Sequence, residues 1–192
     1  MLFEFVQIVY WLALSTWFGS VLFVLVTPPI ILKTVKANNP ILPHVLSVNL
    51  DGQHATLLAG SIVANLLPLL MRTELACAGA LGMALIGQWF VIDHRPEALM
   101  PPVLRSALFV AATVCVIYDW RIVWPRTFKS RQEYLDNADD PDKANPALDE
   151  FDRHQSESMT IIRNVFVLLL GIILFSANIS PSTSIDLTRL VK

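Results

Sequence analysis

The residues of this chain whose types could do chemistry are four histidines, two cysteines and a scatter of polar groups within apolar surroundings. His44, His54, His94 and His154 could each offer a ring nitrogen to a haem iron or a copper ion. No two of them share the i, i+4 spacing that sets a pair of imidazoles on one helix face. His44, His54 and His94 are therefore weak cofactor-binding candidates, for haem b or copper as an alternative, and no cofactor or metal site is expected. Cys77 and Cys115 both fall inside apolar runs, where a thiol acts as a small buried hydrophobe. The acidic stretch Asp136–Asp142 lacks the central glycine and closing glutamate of a calcium loop and reads as a solvated segment. No nucleophile–base pair, phosphate-cradling glycine loop or aromatic-basic patch is present, so the pattern points away from an enzyme and names no catalytic residue.

A polar stripe carries more information. His54, Ser61, Asn65 and Arg72 are spaced so that all four share one face of a helix. Such a stripe cannot comfortably face lipid, so it is expected to face a bundle interior or a wet cavity, either lining a ligand path or bonding neighbouring helices. Glu74, Asp93, Arg105, Asp119, Arg121 and Arg163 fall within a turn or two of the expected helix ends, from which they could snorkel to water.

The elements that must position these groups are five long apolar runs. They predict an all-α, polytopic transmembrane helical bundle of four to five helices, five preferred, in a single membrane domain, residues 1–192. The expected helices are Phe3–Pro29, Gly52–Met71, Leu75–Ile92, Val103–Trp124 and Met159–Ile179, with a hydrophilic loop over Pro125–Ser158. Pro28-Pro29 should bend or end the first helix. The half-apolar Ile41–Leu50 reads as a re-entrant or surface piece. Arg72-Thr73-Glu74 reads as the whole connection of an antiparallel hairpin. Only 16% of residues are charged, against about 25% in soluble domains. The mean hydropathy of +0.55 agrees, and the net charge of −2 argues against nucleic acid as a partner. The opening Met1–Phe5 has no basic flank and carries Glu4, which argues against a cleaved leader.

Small residues at four-residue spacing mark expected helix seams: Ala76, Ala80 and Ala84; Ala107, Ala111 and Cys115; Ser15 and Gly19; Thr16 and Ser20. An exposed seam of this kind would suit a homo- or hetero-oligomer or an accessory subunit of a larger membrane complex. With five helices in a cell (inner) membrane, the positive-inside bias favours the N-terminus inside and the C-terminus outside. The cluster Arg121, Arg126, Lys129 and Arg131 carries that orientation, with Lys33, Lys36, Arg95, Arg105, Arg189 and Lys192 on the other side.

Three short pieces resemble a known family. Trp17-Phe18-Gly19 leading to Pro28-Pro29, Trp124-Pro125-Arg126, and Phe151-Asp152-Arg153-His154 followed by Ser158, with Asn164 beyond, resemble motifs of the transmembrane-protein-205-like family of small integral membrane proteins. The resemblance implies a helical membrane bundle, usually of four helices, without an established enzymatic activity. Its eukaryotic namesake is associated with resistance to platinum drugs. An integral membrane protein concerned with tolerance or transport of a metal or small molecule is thus the expectation. A fainter likeness of the first helix to haem-binding membrane families supplies the alternative, a haem- or metal-binding oxidoreductase. In those families a histidine precedes the tryptophan on the same helix, and here none does.

Overall fold

The computed structural model describes residues 2–38, 54–90, 96–137 and 140–177. The described residues form α1 (Leu2–Asn38), α2 (His54–Trp89), α3 (Pro96–Tyr118), a π-helical turn (Asp119–Val123), α4 (Trp124–Asp136) and α5 (Pro141–Ala177). Because α3, the π-turn and α4 run on without a break, the chain makes four long rods. All four are long and apolar enough to cross a membrane. The expected Ile41–Leu50 piece, His44, Asp93, His94 and the tail beyond 177 lie outside the described residues, as does the side chain of His54.

Five helices become four because Arg72-Thr73-Glu74 is not a turn. The triplet contains no glycine, proline, asparagine or aspartate to reverse the chain, and arginine and glutamate are good helix formers. The helix runs straight through it, and the Thr73 hydroxyl donates to the Leu69 carbonyl at 3.0 Å. At ~1.5 Å per residue, the 36 residues of α2 span roughly 54 Å. Pro28 and Pro29 likewise sit inside α1, which stays helical to Asn38. Each proline removes one backbone hydrogen bond, and close packing along α2, the most extensive in the molecule, holds the rest. Most of the expected Pro125–Ser158 loop is helical too. Asp140 starts α5, its carbonyl accepting from the Lys143 and Ala144 amides. The Lys143 ammonium, 2.7 Å away, holds the Asp140 carboxyl below the usual carboxylate range.

The rods are arranged up-down-up-down, with α1 beside α2, α2 beside α3, α3 beside α5 and α5 beside α1. Tyr10, Leu14, Trp17 and Val21 recur every three or four residues, the seam of helices crossing at a shallow angle. They meet Ala78, Leu81 and Leu85 of α2, Ala112 and Val116 of α3, and Val165, Leu169 and Ile172 of α5. Phe18 stacks on Phe166 with ring centroids 5.0 Å apart, and Trp17 meets Phe109 edge-on at 6.3 Å. Two glycines admit these side chains: a Cβ on Gly82 would stand 3.2 Å from the Phe109 ring, and one on Gly171 would stand 3.0 Å from Leu108.

Four rods bring the chain back to the end where it began. Tyr10 of α1 and Ser176 of α5 share a hydrogen bond there, so the described helices begin and end at the same end of the bundle. Beyond the π-turn, α4 packs chiefly on α5 and α1 on α2, with the Arg131 guanidinium of α4 lying over Gly60 of α2. Thr73→Pro should therefore break α2 at its middle and cost about 3 kcal/mol or more. The check is the thermal midpoint of the purified protein; an unchanged midpoint would restore the turn.

Candidate functional site

Ionisable groups enter this bundle in two layers. The first lies where α3 becomes α4. The π-turn closes with the Trp124 amide donating to the Asp119 carbonyl, five residues back. Insertions of this kind widen a helix and often re-aim a functional side chain. Asp119 is 6% exposed, although its neighbours Tyr118 and Trp120 are exposed. Ser158 of α5 donates a hydrogen bond to its carboxyl group, while Oδ1 is buried without a partner. Glu74, at the middle of α2 and 7% exposed, lies within electrostatic reach of Asp119 and of Cys77 one turn on. On the flank, Glu157 accepts from the Tyr118 hydroxyl at 3.1 Å. The His154 Nδ1 stands 3.8 Å from the other Glu157 oxygen, beyond hydrogen-bonding distance.

The second layer lies toward the start of α1 and the end of α5. Arg105 of α3 is 3% exposed, and its Nη2 donates to Gln88 Oε1 of α2 at 2.6 Å. Gln88 Nε2 donates in turn to Gln7 Oε1 of α1 at 3.0 Å. The guanidinium carbon sits 5.0 Å from the centre of the Tyr10 ring, a cation–π contact. Because the one proton of Ser176 goes to the Ile172 carbonyl at 2.6 Å, Tyr10 is the donor in its 2.5 Å bond to Ser176. Arg105 Nε has no partner. Among the described residues no carboxylate forms an ion pair with Arg105.

The chemistry these layers allow differs. The Glu74–Asp119 pair offers a protonatable site whose two charges oppose each other. The Arg105 layer offers a fixed positive charge whose field passes along amides. Among the described residues, no three of His, Cys, Asp or Glu are placed to share a metal ion.

The residues expected from sequence fall as follows. Of the polar stripe, Ser61 is half-buried and donates to its own helix at the Leu58 carbonyl, while Asn65 and Arg72 are exposed. Ala84 is buried at a seam, but Ala76, Ala107 and Ala111 face outward. Trp17 is in the core, and Gly19, Pro125 and Arg126 are exposed. Pro28, Phe151, His154 and Ser158 are half-buried, and the last two flank the Asp119 layer. Glu74, Arg105 and Asp119 do not snorkel: they are the buried charges. Gln7, Tyr10 and Ser176 were not singled out by spacing. Their signal is a polar atom near the end of each apolar run, and these come to one level only once the rods alternate in direction.

No family model, no curated protein and no solved structure matches the chain.

Gln88→Leu should leave Arg105 with Tyr10 alone, through its ring and hydroxyl, and cost roughly 3–5 kcal/mol, as expected when a buried charge loses a partner. Adding Arg105→Met should recover most of that loss in unfolding measurements of single and double variants; additive losses would show that the two residues are not coupled.

Proposed function

We propose that this chain is an integral membrane protein of the transmembrane-protein-205-like type, moving a small molecule or metal ion out of reach of the cell in exchange for protons. The observation that carries the reading is the buried pair Glu74 and Asp119, at the level where α3 becomes α4. Ionisable groups held inside an apolar bundle are costly and mark ion or substrate pathways by default. Ser158, from the stretch that resembles the family, bonds Asp119, and His154 lies one turn away on the same helix. The four-rod count is also the family's usual one. The many large apolar side chains on the outside, Met83, Ile86, Val167 and Leu174 among them, suit a surface in contact with hydrocarbon.

Exchange requires the pair to hold a proton in one state and release it in another, which two opposed carboxyl groups do when a cation approaches. The test is a proteoliposome holding a pH gradient, challenged in turn with zinc, copper, a platinum drug and ethidium. At least one of these should dissipate the gradient, and Glu74→Gln or Asp119→Asn should slow that flux at least tenfold. No response to any probe, or unchanged flux in both variants, would overturn the reading.

The same reading fixes orientation. Lys33, Lys36, Arg121, Arg126, Lys129, Arg131, Lys143 and Arg153 all belong to the end of the bundle away from Tyr10 and Ser176. By the positive-inside bias that end faces the cytoplasm, with both ends of the chain outside. An alkaline phosphatase fused after Lys192 should be active; an inactive fusion, with a cytoplasmic reporter fluorescent at the same place, would reverse the orientation.

A further inference from the structure

Of the acids at the Asp119 layer, one is open to water. Asp119 and Glu74 are buried, whereas the Glu157 side chain, beside them on α5, is 36% exposed. Glu157 is also the last acid before the apolar run Met159–Ile179. It therefore stands where α5 passes from its exposed, charged stretch around Asp152 and Arg153 into the bundle. Its Oε1 accepts from the hydroxyl of Tyr118, the residue that precedes Asp119, at 3.1 Å. Its Oε2 stands 3.8 Å from His154 Nδ1, which is buried and has no hydrogen-bond partner. Ser158, the next residue along, donates to the Asp119 carboxyl group, so the two bonds are neighbouring rungs between the end of α3 and α5. Glu157 and Asp119 lie within electrostatic reach of each other, and Arg126 of α4 lies within reach of the Tyr118 hydroxyl.

The other end of the bundle offers no such access. Between Arg105 and Asp119 the interior is filled by Leu14, Leu81, Leu85, Ala112 and Leu169, and the described helices carry no carboxyl or imidazole group at those levels. Deepening the proposed proton exchange, and resting on it, we propose that Glu157 is the group through which the buried pair trades protons with water, on the side of the bundle where α4 lies. The Glu157 carboxylate takes a proton from water and becomes the acid. It then gives that proton to the Asp119 carboxylate, so that Glu157 is charged again and Asp119 neutral. The reverse order returns the proton to water when a cation reaches the pair.

The test is infrared spectroscopy of the full-length protein in proteoliposomes, switched from ordinary to heavy water. The carboxylic-acid carbonyl band of the pair, assigned by its loss in Asp119→Asn or Glu74→Gln, shifts as deuterium replaces its proton. Glu157→Gln keeps an acceptor for Tyr118 but cannot hold a proton, so exchange should slow about tenfold or more, as expected when a positioned acid–base group is removed. Glu157→Asp should keep most of the wild-type rate. Added azide, whose conjugate acid carries protons, should speed Glu157→Gln, which a merely structural role would not allow. Glu150→Gln, which removes an exposed acid two turns away on the same helix, should change nothing. Exchange unchanged in Glu157→Gln, a slowing that azide fails to relieve, or an equal slowing in Glu150→Gln would overturn the proposal. So would a pair with no carboxylic-acid band at any pH at which the protein stays folded. The measurement needs no transported ion, so the two ideas fail separately. Slowed exchange without flux of any probe removes the transport reading alone, and flux lost in Glu74→Gln with exchange unchanged in Glu157→Gln removes this one alone.

Discussion

Everything distinctive about this bundle follows from the burial of Arg105. Guanidinium stays protonated at any accessible pH, so its charge cannot be neutralised by losing a proton and must be met by bonds. The structure meets it with one group from each neighbouring rod: Gln88 from α2, and Tyr10 and, through Gln88, Gln7 from α1, with Ser176 of α5 fixing the Tyr10 hydroxyl. A single polar layer thereby joins all four rods. Helices in hydrocarbon gain little from apolar contact with one another, so such a layer does much to specify which rods are neighbours and in what register.

The opposite layer is built differently. Among the described residues, Glu74 and Asp119 have one donor between them in Ser158, and Asp119 Oδ1 has no partner. An unmade hydrogen bond to a buried carboxylate costs a few kcal/mol, a cost that a bonded network avoids. Beyond this layer the packing is closest within two pairs, α1 with α2 and α4 with α5, which the Arg131 guanidinium bridges at Gly60. Local opening starts where contacts are few and polar groups unsatisfied. The Arg105 layer is therefore the better satisfied of the two.

How much of this was legible in the sequence depends on the physics each feature uses. The all-helical class and the long apolar rods follow from run length alone, and the runs from Val6 and from Met159 stand in the structure. The fifth helix was an error of the hydropathy pattern: the charges of Arg72 and Glu74 look like a gap between two runs, although nothing in the triplet can turn the chain. The same reasoning hid the site, because Glu74 at a supposed helix end has water available, while Glu74 at mid-helix has none. The alanine seams misled for a different reason. Both faces of a lipid-bathed helix are apolar, so the spacing of Ala107 and Ala111 cannot say which face turns inward. Gly82 and Gly171, which admit Phe109 and Leu108, show no spacing that would have singled them out.

The contrast between the layers carries the functional argument. A carboxyl group, unlike a guanidinium, can exchange its charge for a proton, so an under-bonded acid pair has two accessible states where the arginine has one. Placing the group that cannot change state in a layer tied to every rod keeps one end of the bundle fixed. Placing the groups that can change state where α3 passes into α4 puts them beside the packing of the π-turn on α5. Asp119 couples to that junction directly, since it opens the π-turn on which α4 leaves α3, and its bond to Ser158 is one of the links between that turn and α5. A change of charge at Asp119 would bear on that link first.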